Sequence, residues 1–184
     1  MTHILVLSDT HWPHDDAEWR NPEPEESKAS LFEDLADLLR QADLILHAGD
    51  HVAASFHREL QERGYLVFVR GNMDEPQLQA NLPPRAVITC EGVKIGLVHG
   101  WGPPAGLAER IYHSWLPEER PEVIVFGHSH QSGQGILHET LMVNPGSPTY
   151  PRGPEGPSVG WLEVHRGRCQ ASILPRPRRG AASR

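Results

Sequence analysis

The sequence predicts an α/β domain with a two-layer β core and helices outside it. Three observations carry that reading. Short apolar runs, rich in β-branched residues, recur along the chain and end in polar clusters. Helical periodicity separates the first three of them. Two later pairs of runs flank tight-turn dipeptides, which makes the second half antiparallel or mixed.

The runs, in chain order, are Ile4 to Leu7 before Ser8-Asp9-Thr10-His11, Leu44 to Leu46 before His47-Ala48-Gly49-Asp50, and Leu66 to Val69 before Arg70-Gly71-Asn72. Ile95 to Val98 then leads into His99-Gly100, and Val123 to Phe126 into Gly127-His128-Ser129-His130. Each is too short for a helix and reads as a buried strand. Leu31, Leu35, Leu38, Leu39 and Ala42 share one helical face, with Ser30 and Glu33 spaced as a capping box. Ala53, Phe56 and Leu60 mark a second helix that Gly64 would stop. Leu107, Ala108, Ile111, Tyr112 and Trp115 mark a third, from about 104 to 115. Glu91-Gly92 and Arg166-Gly167 read as hairpin turns between 86–90 and 93–98 and between 159–165 and 169–174. Residues 12–27 and the proline-rich 144–158 resist regular structure.

The chain has 184 residues, a size suited to one domain, here 1–174, with a basic and disordered tail from Pro175 to Arg184. Apolar residues make up 38% and charged residues 22%, as in an ordinary globular protein. No apolar run has the length of a membrane span, and the first residues lack the pattern of a signal peptide, so the expected location is the cytoplasm. Cys90 and Cys169 have no metal or redox spacing and read as reduced and structural. The net charge of -7 argues against a nucleic-acid polymer as partner, because neutralising phosphates dominates such binding.

Chemistry enters through the polar clusters. Asp-x-His and His-x-His put two side chains on one face of an extended segment, and each pair alone is weak. Together, five strand ends bring Asp9, His11, Asp50, Asn72, His99, His128 and His130, which are four imidazoles, two carboxylates and one amide oxygen. The carboxyl ends of parallel strands are where α/β sheets gather their sites. Oxygen and imidazole donors without thiolates suit Mn²⁺, Fe, Zn²⁺ or Ni²⁺. Seven ligands are too many for one ion and suit two, with a shared carboxylate. Such a pair attracts an anionic phosphate ester and makes hydroxide available near neutral pH.

The set Asp9-Thr10-His11, Gly49-Asp50, Gly71-Asn72-Met73-Asp74, His99-Gly100 and Gly127-His128-Ser129-His130 resembles the calcineurin-like metallophosphoesterases. Asn144-Pro145-Gly146-Ser147 and the short chain look like their small bacterial and archaeal phosphodiesterase branch. The resemblance implies a four-layer α/β/β/α sandwich of two mixed sheets. It assigns Asp9, His11 and His130 to one metal and Asn72, His99 and His128 to the other. Asp50 bridges both and positions a bridging hydroxide, and Asn72 shares in catalysis. The cofactor it implies is two divalent ions, first of all Mn²⁺, acting on a small phosphodiester or nucleotide. The alternatives are a phosphomonoesterase and a catalytically weak protein-binding scaffold on the same fold. A homo-oligomer is compatible with either. Many members carry His where this chain has Met73, and that His protonates the leaving group or contacts phosphate; Met73 does neither.

Around this set, His51 and Arg152 are candidates for substrate contact, and Asp74 for substrate contact or for orienting an imidazole. Trp101 and Trp12 are candidates for stacking on a base or aromatic ester. Residues 12–27 are a candidate lid. The plainer reading of each is packing or exposure. His3, His14, His47, His57, His113, His138 and His165 show no ligand spacing and read as structural or exposed.

Overall fold

The computed structural model describes residues 1–12 and 28–177, the side chains of residues 28 and 29 excepted. Strands β1 (Thr2–Leu7), β2 (Leu44–His47) and β3 (Leu66–Phe68) pair in parallel; β9 (Ser158–His165) and β10 (Arg168–Pro175) extend them antiparallel, in the order β10-β9-β1-β2-β3. The second sheet has the order β4-β5-β6-β8-β7. Its β5 (Val93–Val98), β6 (Val123–Phe126) and β8 (Thr140–Asn144) are parallel, flanked antiparallel by β4 (Arg85–Cys90) and β7 (Gly133–Leu137).

The two sheets face each other. Ile4, Val6 and Leu46 of one meet Ile95, Leu97, Val123 and Val125 of the other in a single buried cluster. A strand packed on both faces needs apolar residues at consecutive positions, and β1, β2 and β6 have them. Outside the first sheet, Leu5, Leu7 and Ile45 bury against Leu31, Leu35, Phe56 and Leu60. These come from the α1 (Lys28–Asp34) to α2 (Ala36–Gln41) region and from α3 (Ala54–Gln61). Outside the second sheet, Ile124, Phe126 and Met142 bury against Leu107, Ile111 and Tyr112 of α5 (Leu107–His113). The layers are therefore α/β/β/α, as expected.

Both hairpin turns form as read. Glu91 and Gly92 have φ of 48° and 85°, and Arg166 and Gly167 have 47° and 76°. Positive φ at both central residues matches the twist of the strands they join. Three details differ from the expectation. The helix over 31–42 is interrupted at Leu35 (φ -86°, ψ -1°). Leu35 N–H still donates to Leu31 O at 3.0 Å and Leu39 N–H to Leu35 O at 2.8 Å, so the apolar face continues across the break. Ser30 lies inside α1 rather than capping it. The third difference is at the tail. Pro175 ends β10, and the Arg176 guanidinium is buried, donating through Nε and Nη2 to Asp34 Oδ2 at 3.0 and 2.7 Å. Its Nη1 donates to Pro148 O at 3.0 Å, so Arg176 is part of the folded unit. Residues 178–184, and the candidate lid beyond Trp12, lie outside the described residues. Among the described residues, no helix is long and apolar enough to cross a membrane.

Candidate metal centre

The ends of β1, β2, β3, β5 and β6 converge on one edge of the sandwich, and the loops that follow them interlock through their backbones. Asp9 N–H donates to Gly49 O and His11 N–H to Asp50 O, each at 3.0 Å, and Gly127 N–H donates to His99 O at 3.0 Å. The backbone here is unusual. Asp9, His11, Asp50, His128 and His130 all have positive φ, between 42° and 72°. Asp9-x-His11 and His128-x-His130 are therefore not the extended segments their spacing suggested; each pair sits in a loop past its strand. For residues other than glycine a positive φ is uncommon and costs about 1 kcal/mol or more each, and such strain clusters at functional sites.

The seven side chains form two groups that share Asp50. In the first, His11 Nε2 lies 3.1 Å from His130 Nε2, and His130 Nε2 lies 3.5 Å from Asp9 Oδ1. In the second, Asn72 Oδ1 lies 3.2 Å from His99 Nε2 and 3.1 Å from His128 Nδ1. Asp50 Oδ2 stands between them, 3.3 Å from both His11 Nε2 and His99 Nε2. Asp9, His11 and His130 have donor atoms close enough to hold one ion, as do Asp9, Asp50 and His99.

The imidazoles are set up to offer lone pairs inward. A backbone carbonyl can only accept, so the ring nitrogen facing it carries the proton. His99 Nδ1 donates to Ala48 O at 2.7 Å, His130 Nδ1 to Tyr150 O at 2.6 Å and His128 Nε2 to Gly102 O at 2.9 Å. In each ring the other nitrogen faces the cluster. This is the outer support that fixes tautomer and aim in metal-binding histidines. The donor spacing fits a metal too. Ligands about 2.0–2.2 Å from an ion stand roughly 3.0–3.6 Å apart at neighbouring coordination positions. The residues present therefore fit divalent ions.

The electrostatics of the bare cluster agree. Burial pushes the Asp9 carboxyl up to about 6. Burial also opposes the charge on Asp50, yet hydrogen bonds from His11 and His99 hold its carboxyl far below the usual range. The same pairing raises His99 to about 9 against its burial, through Asp50 and the charge of Asp9. Burial lowers His130 to about 4 and lowers His128 as well, with the Arg152 guanidinium adding to both. Opposed shifts among touching groups mark a cluster that shares few protons among many donors, and divalent cations would replace those protons.

Several supporting residues were not read from the sequence. Ser147 Oγ donates to Asp9 O at 2.7 Å and Thr149 Oγ1 to Thr10 O at 2.7 Å, which fastens the proline-rich loop to the first ligand loop. Asn144 Nδ2 donates to Gly127 O and Ser129 Oγ, at 3.1 and 3.0 Å. His128 N–H donates to the Asp9 carboxylate at 3.0 Å. The Asn-Pro-Gly-Ser run was the available signal for Asn144 and Ser147. Nothing in the sequence marks Ala48, Gly102 and Tyr150, which act through their carbonyls.

The candidate substrate contacts separate. His51 is fully buried, stacked on His47 with ring centroids 3.7 Å apart and edge-on to His57 at 4.9 Å. This corrects the reading that it points into the cleft, because packing turns it beneath the site. Asp74 is also buried, so it is not a substrate contact. Its carboxylate accepts from Val52 N–H at 2.8 Å and Gly71 N–H at 2.7 Å, tying the second and third ligand loops together. Trp12 stacks on Phe56 at 5.8 Å in the core and does not line the cleft. Trp101 is exposed beside His99-Gly100, and Arg152 is exposed, its N–H donating to His130 O at 3.0 Å.

Comparison with known proteins places the chain among similar ones. A family model described as "Calcineurin-like phosphoesterase superfamily domain" matches residues 2–167. A probable metallophosphoesterase of Methanothermobacter thermautotrophicus is 32% identical over 171 residues, covering 93% of this chain and 91% of that one. A solution structure of a Thermotoga maritima protein is 30% identical with a TM-score of 0.66, covering 95% and 99% of the two chains. Two more distant structures share the fold. One, described as a novel archaeal phosphodiesterase, is 16% identical with a TM-score of 0.66 and covers 94% and 100%. The other, Vps29 of Entamoeba histolytica complexed with Zn²⁺, is 23% identical with a TM-score of 0.66 and covers 94% and 98%.

Proposed function

This chain belongs to the calcineurin-like phosphoesterase superfamily and is a metal-dependent hydrolase of phosphate esters, and from that premise we propose that it is a phosphodiesterase with a dinuclear metal site. In this reading Asp9, His11 and His130 hold one ion, Asn72, His99 and His128 hold the second, and Asp50 bridges them. The observation that carries it is the Asp50 carboxylate, with Oδ2 at 3.3 Å from an imidazole of each group. Mn²⁺ is the first candidate, with Fe, Zn²⁺ and Ni²⁺ behind it. The ions, when bound, supply positive charge toward a phosphate ester and lower the pKa of a water so that it can attack.

The chain's own residues prepare that reaction. The Asp50 carboxylate, fixed by Met73 N–H at 2.8 Å, keeps the two donor groups in register. Asn72, exposed at the cleft, presents a neutral oxygen where a third carboxylate would repel an anionic substrate. In this reading Arg152 contacts a phosphate and Trp101 stacks on an attached ring, which their exposure next to His130 and His99 supports. Met73 brings no proton to the departing oxygen, which favours esters with good leaving groups.

The test is a screen of metal-stripped protein with Mn²⁺, Fe²⁺, Ni²⁺ and Zn²⁺. Substrates are phosphomonoesters, bis-p-nitrophenyl phosphate and 2′,3′- and 3′,5′-cyclic nucleotides. Diester hydrolysis that vanishes in Asp50→Asn supports the proposal, and preference for monoesters sinks the diesterase part. Absence of turnover with every metal would favour a second reading, a protein-binding scaffold on this fold, for which Met73 is the supporting observation.

A further inference from the structure

A second group of donors lies on the opposite side of α5 from the core. Glu109 and His113 stand four residues apart on α5, so they share one exposed face. Glu109 Oε2 and His113 Nε2 are 3.4 Å apart. His138, from the turn between β7 and β8, faces them. Its φ of 46° turns it out of the hairpin, and its ring lies tilted on Tyr112 at 4.9 Å. Tyr112 is itself buried and held by Arg120, whose Nη1 donates to the phenol oxygen at 2.8 Å with the guanidinium over the ring at 3.9 Å. One donor atom from each of Glu109, His113 and His138 lies within 4.8 Å of the others.

We propose that Glu109, His113 and His138 form a third, surface metal site, separate from the Asp50 centre and selective for Zn²⁺, Ni²⁺, Cu²⁺ or Co²⁺. Two imidazoles and one carboxylate favour these borderline ions over Mg²⁺ or Ca²⁺, which prefer all-oxygen shells. The Glu109–His113 separation already matches the edge of a tetrahedral site, about 3.3–3.6 Å for ligands at 2.0–2.2 Å. All three side chains are exposed, which leaves His113 and His138 room to turn toward an ion. The three protein ligands leave a fourth position open to water or to a group from another molecule. The site pins the C-terminal part of α5 to the β7–β8 turn.

Equilibrium dialysis of the metal-stripped chain against Zn²⁺, with metal counted by elemental analysis, tests this. The wild type should hold one equivalent more than His113→Ala/His138→Ala, and Glu109→Gln should weaken that equivalent at least tenfold. The reading is a difference between variants, so it holds whatever number of ions the Asp50 centre takes. Co²⁺ loading gives a second readout, a visible band from a site with two nitrogens and one carboxylate that disappears in the double variant. Phosphodiester hydrolysis with Mn²⁺ should stay within twofold in all three proteins. Equal Zn²⁺ stoichiometry and affinity in wild type and double variant would overturn the proposal. So would a Co²⁺ spectrum that the substitutions leave unchanged.

Discussion

Replacing Gly71 with Ala puts a methyl group where the second ligand loop already lies. An added Cβ at position 71 would stand 2.0 Å from Asp50 Oδ1 and 2.1 Å from Asp50 N, below the 3.0 Å that real Cβ contacts respect. The loops must separate by about 1 Å, and the closest neighbours are the backbone nitrogen and the carboxylate of Asp50, neither of which can swing aside. Overpacking of this kind costs about 1–3 kcal/mol of stability. Loss of the Met73 N–H bond to Asp50 would add about 1.5–3 kcal/mol, as for hydrogen bonds to charged groups. A misplacement of about 1 Å in a catalytic group can cost about 10²-fold in rate. Gly71→Ala should therefore lower kcat/KM on bis-p-nitrophenyl phosphate about 100-fold, weaken Mn²⁺ binding, and shift the urea midpoint down. Gly135→Ala is the control, since an added Cβ there meets nothing within 4 Å. If the Gly71→Ala protein kept kcat/KM and Mn²⁺ affinity within threefold of wild type, the tight approach of these loops would have no bearing on the site.

Three further outcomes are expected. Met73 is half-exposed at the cleft, and Met73→His should raise turnover more for alkyl diesters than for nitrophenyl diesters; equal gains on both would refute a missing proton donor. Burial and the neighbouring His51 lower His57 from 6.5 to about 4. The unfolded chain thus takes up a proton there that the folded chain refuses. That contribution to stability is complete above about pH 6.5 and is lost as pH falls toward 4. Metal-stripped wild type should lose about 2–3 kcal/mol more over that window than His57→Phe in chemical denaturation, and identical pH slopes would refute it. Arg176→Ala should cost about 3–5 kcal/mol in the same assay by leaving the largely buried Asp34 carboxylate without the Arg176 guanidinium, while Arg168→Ala on the exposed start of β10 should change little.

The sequence made legible whatever depends on local chemistry. β1, β2 and β6 are consecutive apolar residues because both their faces are covered, and that pattern survives without any knowledge of the partner. Gly92 and Gly167 mark their hairpins because a two-residue turn demands positive φ. The candidate ligands were legible because side-chain type limits metal chemistry and five strand ends repeat the same design. What was missed depends on packing partners rather than on a local pattern. β7 carries Gly-Gln-Gly and only two apolar residues, so it is a strand by virtue of β8 beside it. Helix α4 (Pro76–Asn81) buries Leu78 alone, too little for a periodic signal. Arg176 looks like any residue of a basic tail until the fold brings Asp34 to it. His51 follows a ligand directly, and its neighbourhood in sequence suggested the cleft; the left-handed turn at Asp50 and the rings of His47 and His57 send it the other way.

That turn connects the strain in the backbone to the purpose of the site. Val52, with φ of 72°, is a β-branched residue in a conformation it strongly disfavours. It is held there because its N–H donates to Asp74 and its carbonyl accepts from Glu75 N–H at 3.0 Å. Asp74 also holds Gly71, so one buried carboxylate fixes the loops that carry Asp50 and Asn72. The Asp9 carboxylate plays the corresponding part for His128, and the carbonyl of Asp9 takes Ser147. Each strained residue of the cluster is thus bonded to another loop, and these bonds offset the cost of its conformation. The donor atoms are therefore held together by hydrogen bonds within the protein. Asp74, buried and bonded to the loops of both Asp50 and Asn72, should therefore matter as much to the centre as one of its candidate ligands.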